Sequence, residues 1–342
     1  MADFPGACLL IGVDAGSCEA IRPLASHASF ALQATATPAA EHADYWEETY
    51  RTRHTAAIVV GTSDSARGRN IESAARLAAT SGTLKVVAVE DYAGNYFDVP
   101  HSRTNLLIAE SALSEQHYHG RLGAACPPIA IFGSARYDPY RRQLDALRAM
   151  TRASWQRAQA PLHVLWAGQP ESQDSVETLR RVAPAVRAVD ATLLLKAHPR
   201  DPLHPQGVYG RLLDDLGVQY VDVSALSVAA SLEKAPQLVL TQFSSVAIEA
   251  GFYGIPALHL VYHDVGGLRL QQKKGYALPL HCAYGASFAL QNAGSEREIL
   301  HEALFNEAAR DSVIGCFDDF FAVRAEIAPV LANYLRQFIG LT

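Results

Sequence analysis

Short apolar runs that stop abruptly at polar residues, each followed by a stretch long enough for a helix, constrain this chain most. They read as strands over Ala7 to Val13, Ala56 to Val60, Leu84 to Val89, Asn105 to Ala109 and Pro128 to Phe132. A second set covers His163 to Ala167, Thr192 to Lys196, Gln219 to Val223, Leu238 to Thr241 and Ala257 to Tyr262. Strands apolar throughout are buried on both faces, and helix-length spacers between them signal βαβ units and a parallel sheet. The fold class that follows is α/β. The chain has 342 residues, more than one core comfortably holds, so the two sets predict two parallel-sheet domains facing across a cleft. The expected division is a first domain over 1–145, a second over 146–315, and a C-terminal helix over 316–342 that packs back toward the first.

Between the strands, Asp14 to Ser17 reads as a turn opening a helix near Glu19, and helices are predicted over Asn70 to Thr80, Ser175 to Val189 and Glu296 to Phe305. Asp138 to about Gln159 reads as a helical bridge between the domains. Asp264 to Gly294 reads as long loops, and Phe317 to Phe338 as a long amphipathic pattern interrupted at Pro329. Ala34 to Ala40 is an Ala/Thr-rich patch.

Composition excludes several classes. A net charge of −6 argues against a nucleic-acid partner, and no apolar run approaches the ~18 residues of a membrane span. Cys8, Cys18, Cys126, Cys282 and Cys316 are odd in number and lack CxxC spacing, as expected of free thiols in a reducing compartment. The expected location is cytoplasmic, with peripheral contact at the inner membrane face left open, and the oligomeric state is not set by the sequence. Gly12-Val13-Asp14-Ala15-Gly16 lacks the full dinucleotide fingerprint, and no Walker A run occurs. His117-Tyr118-His119 reads as a loop with exposed histidines, and His259 and His263, which straddle a strand, imply no metal. Lys273-Lys274 reads as a solvated loop pair whose alternative role is to close over phosphates.

Two strand ends carry the chemistry. Lys196-Ala197-His198-Pro199-Arg200 offers a cation and an imidazole, with Pro199 stiffening the turn. Ser244 and Ser245 follow the strand Leu238 to Thr241 and open a helix running to about Tyr253. Such an end attracts anions, although a serine there equally well only caps the helix. Glu249 lies four residues after Ser245, on the same helix face, where a carboxylate can accept from ribose hydroxyls. In the first half, Asp14, Asp64 and the pair Glu90-Asp91 end strands. Glu90 or Asp91 is a candidate general base; either could instead cap a helix or neutralise Arg67.

These segments resemble a known group. Lys196-Ala197-His198-Pro199-Arg200, Thr241-Gln242-Phe243-Ser244-Ser245, Glu249-Ala250 and Gly254-Ile255-Pro256-Ala257 look like the C-terminal domain of GT-B-fold glycosyltransferases. The likeness is greatest to the group holding capsule-polysaccharide and teichoic-acid polymerases, bacterial sialyl- and Kdo-transferases, and nucleotide-sugar 2-epimerases. Phe132-Gly133-Ser134-Ala135-Arg136-Tyr137-Asp138 resembles the segment closing the N-terminal domain there, and Val89-Glu90-Asp91 with Asn95-Tyr96 is similar to an acidic loop of some members. The epimerases carry Asp-Ser-Gly-Gly where this chain has Gln242-Phe243-Ser244-Ser245, which counts against epimerisation. The sialyltransferase acidic motif has glycine directly after its two acids, whereas Tyr92 and Ala93 here precede Gly94.

The resemblance implies a GT-B-like pair of Rossmann-like domains, the first on the acceptor side and the second binding the nucleotide. It implies a metal-independent glycosyltransferase, or polyol-phosphate transferase, of bacterial surface-glycan synthesis. Its donor would be a CMP-, UDP- or CDP-linked sugar, its acceptor a glycan or lipid-linked sugar, with no further cofactor. The donor-binding residues would be Lys196, His198, Pro199, Ser244, Ser245 and Glu249, and the catalytic residues Asp91, Glu90 and His198. The alternatives are a nucleotide-sugar 2-epimerase or hydrolase, and a non-catalytic nucleotide-binding protein of the same fold.

Overall fold

The strands of the first parallel set are β1 (Cys8–Gly12), β2 (Phe30–Ala34), β3 (Ala57–Gly61), β4 (Lys85–Val89), β5 (Leu106–Ala109) and β6 (Ile129–Ile131). Those of the second are β7 (His163–Ala167), β8 (Thr192–Lys196), β9 (Tyr220–Asp222), β10 (Leu238–Thr241), β11 (Ala257–Leu260) and β12 (Phe288–Leu290). The structure is a computed structural model and describes residues 8–27, 29–34, 37–82, 84–156 and 162–340. Two six-stranded sheets result, ordered β2-β1-β3-β4-β5-β6 and β12-β11-β10-β7-β8-β9, and the strand pairs within each are parallel. The chain winds outward in one direction and then the other, so strand order reverses between β1 and β3 in the first sheet and between β7 and β10 in the second. In open α/β sheets, ligands bind outside the carboxyl ends of strands at such a reversal.

Each sheet buries both faces, which is why its strands are apolar without alternation. In the first, Leu10, Val59, Val87 and Ile108 face one cluster, while Leu9, Ile11, Ile58 and Val60 face another with Trp46, Tyr50 and Ile71. In the second, Trp166, Leu193, Leu195 and Leu240 face the helix Ser172–Ala188, and Leu165, Leu194 and Val239 pack with Val246 and Ala250. Gly61 is required where it stands: an added Cβ would lie 2.3 Å from the carbonyl oxygen of Ser17. That close approach lets the helix Ala15–Ile21 lie against β3.

The chain divides into two compact units, one made of the residues up to Pro139 with those from Ala325 on, the other running from Tyr140 to Arg324. The boundaries therefore fall at 139/140 and 324/325, not at 145/146 and 315/316. The expected single C-terminal helix is two, Glu307–Phe320 in the second unit and Ala328–Ile339 in the first. Asp138 sets the start of the latter, accepting from the amides of Ile327 (2.9 Å) and Ala328 (2.7 Å). A carboxylate there satisfies orphan amides and complements the helix dipole. Ile327, Leu331 and Leu335 then join the core beside β1 and β3. Asp138 to Gln159 is likewise not one bridge: helices cover Asp138–Arg141 and Leu144–Trp155, and 157–161 lie outside the described residues.

Four further readings differ from the structure. β2 arises from a segment not read as a strand, and β12 lies inside the stretch read as loops, which also contains helices Leu268–Lys274 and Leu280–Ala283. His117 and His119 sit on the helix Ala112–Leu122, not on a loop. Lys273 and Lys274 end a helix, with Lys274 buried and Lys273 Nζ 3.4 Å from Glu171. All five cysteines are free of disulfides, and among the described residues no helix is long and apolar enough to cross a membrane.

Candidate functional site

In the second unit, β7 runs between β10 and β8, so both predicted strand ends flank the point where strand order reverses. The β7 loop knits them together. Gly168 N–H donates to the Lys196 carbonyl at 2.9 Å, and Gln169 Nε2 reaches Thr241 Oγ1 at 3.4 Å. Thr241 Oγ1 donates to the Ala167 carbonyl (2.8 Å) and accepts from Ser244 N–H (3.2 Å). Gln169 was missed by sequence reasoning, although Gly168-Gln169-Pro170 stops the β7 run just as Lys196 and Thr241 stop theirs.

At the β8 end, His198 to Asp201 forms a turn closed by Asp201 N–H donating to the His198 carbonyl at 2.9 Å, with Pro199 at its second position. Arg200 N–H donates to His198 Nδ1 at 3.1 Å. In the neutral ring the proton is therefore on Nε2, which is left as a donor. Burial and then the Arg200 charge hold His198 below the ordinary histidine range. Pro199 and Arg200 are exposed. Lys196 Nζ donates to the Leu226 carbonyl, and burial lowers its pKa against the opposing pull of Glu249 and Asp222.

At the β10 end, Ser244 and Ser245 are half-buried and precede the helix Val246–Phe252. Ser245 is at the N-cap position, but Ser244 Oγ does the local capping, accepting from Val246 N–H at 3.3 Å. Glu249 is buried and accepts from the hydroxyl of Tyr140. That aromatic ring stacks on Phe252 with centroids 5.6 Å apart. The carboxylate expected to accept from ribose hydroxyls is thus already held by a protein donor through Oε2.

In the first unit the two candidate bases separate. Glu90 is buried and fully engaged: Oε1 accepts from Gly94 N–H (2.9 Å) and the Tyr118 hydroxyl, and Oε2 from Glu110 N–H (2.8 Å). Three donors on one carboxylate make it the clasp of the loop after β4. Asp91 uses Oδ1 to accept from Thr62 Oγ1 (2.7 Å) and Asn95 Nδ2 (2.6 Å), while Oδ2 faces the bare Cα of Gly16. Arg67 pairs with Glu41 at 3.4 Å. Asp14 pins the loop after β3, accepting from the amides of Asp64 (3.1 Å) and Ser65 (2.9 Å) and from Ser65 Oγ (2.7 Å). Sequence reasoning also passed over Glu72, which is buried with Oε2 accepting from Ser63 N–H at 3.2 Å and Oε1 lacking a hydrogen-bond partner. Its burial, reinforced by Asp91 and Asp14, raises its pKa well above the usual carboxylate value.

No protein-family model matches the chain, and comparison with curated proteins finds no match either. Solved structures do match over nearly the whole length. The chain is similar to a Staphylococcus aureus MnaA–UDP co-structure, with TM-score 0.69, 12% identity and 98% of each chain covered. It is similar to UDP-GlcNAc 2-epimerase from Neisseria meningitidis bound to UDP-GlcNAc, with TM-score 0.63, 11% identity, and 96% of this chain and 100% of that one covered. Acinetobacter baumannii MurG gives TM-score 0.57 at 11% identity, covering 97% and 99%. The fold is GT-B. At these identities the likeness speaks to the two Rossmann-like units and not to the reaction.

Proposed function

We propose that the protein is a glycosyltransferase, or polyol-phosphate transferase, that binds a nucleotide-activated donor at the carboxyl edge of the second sheet and serves bacterial surface-glycan synthesis. One observation carries this reading. The donor and cation of the β8 end, His198 Nε2–H and Lys196, and the serine-rich β10 end flank one strand-order reversal. In sugar transfer, the bond between the anomeric carbon and the phosphate oxygen breaks and its electron pair leaves with the phosphate. The acceptor hydroxyl bonds to that carbon and gives up its proton to a carboxylate, for which Asp91 is our candidate. His198 and Lys196 stabilise the growing phosphate charge by hydrogen bonding and electrostatics, with no metal needed for that step.

Epimerisation of the nucleotide sugar is the second reading, supported by the fold likeness to UDP-GlcNAc 2-epimerase over nearly the full chain. Gln242-Phe243-Ser244-Ser245 stands against it. The deciding experiment is a thermal-shift screen against CMP, CDP, UDP, GDP and their sugars. A true donor nucleotide at ~100 times its dissociation constant adds about 2.7 kcal/mol. Binding followed by sugar transfer supports our reading, and exchange of the sugar's C2 hydrogen with solvent supports the second. Binding of none of the panel removes both.

A further inference from the structure

A separate set of reactive side chains in the second unit plays no part in the function proposed above. β11 carries His259, and the helix Leu280–Ala283 carries His281 and Cys282. The three are 0%, 4% and 7% exposed, and their ligand atoms all lie within 4.8 Å of one another. Two buried imidazoles and a thiol form a ligand set suited to a borderline-soft cation.

The ring orientations favour such an ion. His259 Nδ1 lies 2.9 Å from the Gln242 carbonyl oxygen, which can only accept. Its proton is therefore on Nδ1 and its lone pair on Nε2. That Nε2 stands 3.1 Å from His281 Nε2, with the rings inclined at 67°. Two imidazole nitrogens on one tetrahedral zinc, at ~2.0–2.1 Å each, stand about 3.3 Å apart. A ligating histidine also characteristically donates its other N–H to a backbone carbonyl, as His259 does to Gln242.

We propose that His259 Nε2, His281 Nε2 and Cys282 Sγ bind a d10 transition cation of the Zn2+ class. Without the ion, the Nε2–H of His281 donates to Nε2 of His259. Binding moves the His281 proton from Nε2 to Nδ1 and releases the thiol proton to solvent, so that one thiolate and two lone pairs face the ion. The site is structural. It fastens the helix Leu280–Ala283 to β11 and, through the Gln242 carbonyl, steadies the turn that leads into Ser244.

The test uses the untagged full chain, stripped with chelator and titrated with Co2+ as a spectroscopic stand-in for Zn2+. One equivalent should bind with a thiolate-to-cobalt charge-transfer band and a tetrahedral visible spectrum, and Zn2+ should displace it. Cys282→Ser, one atom different, should lose the charge-transfer band and bind about tenfold or more weakly. His281→Gln can still hydrogen-bond His259 but cannot ligate, and should lose binding while keeping its circular dichroism. Absence of stoichiometric cobalt binding by the parent overturns the proposal whatever the variants do. A charge-transfer band that survives Cys282→Ser also overturns it.

Discussion

Arg200 fixes the tautomer of His198: its backbone N–H donates to Nδ1 at 3.1 Å, and Nε2 is left to donate outward. A glutamine side chain can place an N–H near the same point, whereas alanine cannot. His198→Ala should weaken nucleotide diphosphate binding by ~1–3 kcal/mol, and His198→Gln should recover most of that loss. Calorimetric titration of both variants checks it. Glutamine as weak as alanine would mean that the ring serves by its shape or charge and not as a donor.

The paired acids after β4 should behave oppositely. Asp91→Asn keeps the hydrogen bond from Thr62 but cannot take a proton, so transfer should slow by about 10²–10⁴-fold with donor affinity unchanged. Glu90→Gln loses acceptor capacity toward Gly94, Tyr118 and Glu110, and should cost about 1–3 kcal/mol of stability. Single-turnover rates and urea melts separate the two effects. Full activity in Asp91→Asn would remove that residue as the base.

Glu72 gives a pH dependence of definite sign. Its folded pKa is raised above 4.5, so between that value and the folded one the native state holds a proton that the unfolded state has released. Its stabilising contribution is fully present below the unfolded pKa and is lost as pH rises through the folded pKa. The slope is about 1.4 kcal/mol per pH unit in that window. Glu72→Gln keeps the neutral shape and should flatten the slope and stabilise the protein near neutrality. Urea melts across a pH series provide the comparison, and a parallel decline in parent and variant would refute it.

Gly61→Ala tests the close approach beneath the first sheet's strand-order reversal. Its Cβ would meet a backbone oxygen at 2.3 Å, where nothing flexible can yield, and the cost should be about 1–3 kcal/mol. Gly82→Ala is the control: its nearest contact would be 3.4 Å, and its effect should stay within about 0.5 kcal/mol. Equal melting temperatures for the two would show that the helix Ala15–Ile21 can move aside.

Much of the fold was legible because buried parallel strands are apolar at every position. Val59, Val87, Leu194 and Val239 belong to runs with no solvent face to dilute the signal. β2 escaped notice because it is an edge strand whose Ala31, Leu32 and Gln33 are only half-buried, and β12 because it sits between Gly285 and Gly294 in a stretch whose turn residues read as loop. At the site, local spacing exposed Lys196, His198, Ser244 and Ser245. Links between residues far apart in sequence stayed invisible, as with Tyr140 and Glu249, or His259 and His281. The engagement of Glu90 stayed hidden for the same reason: its partner Tyr118 lies 28 residues on.

The return of residues from Ala325 onward to the first unit has a consequence for synthesis. Ile327, Ala328, Leu331, Ala332 and Leu335 complete a buried core whose other members precede Pro139, and the whole second unit is translated in between. The unit made first must therefore wait, with the Asp138 carboxylate lacking Ile327 and Ala328 and part of one sheet face uncovered, until the second has emerged. On the ribosome the order of completion is reversed: the half made first closes last.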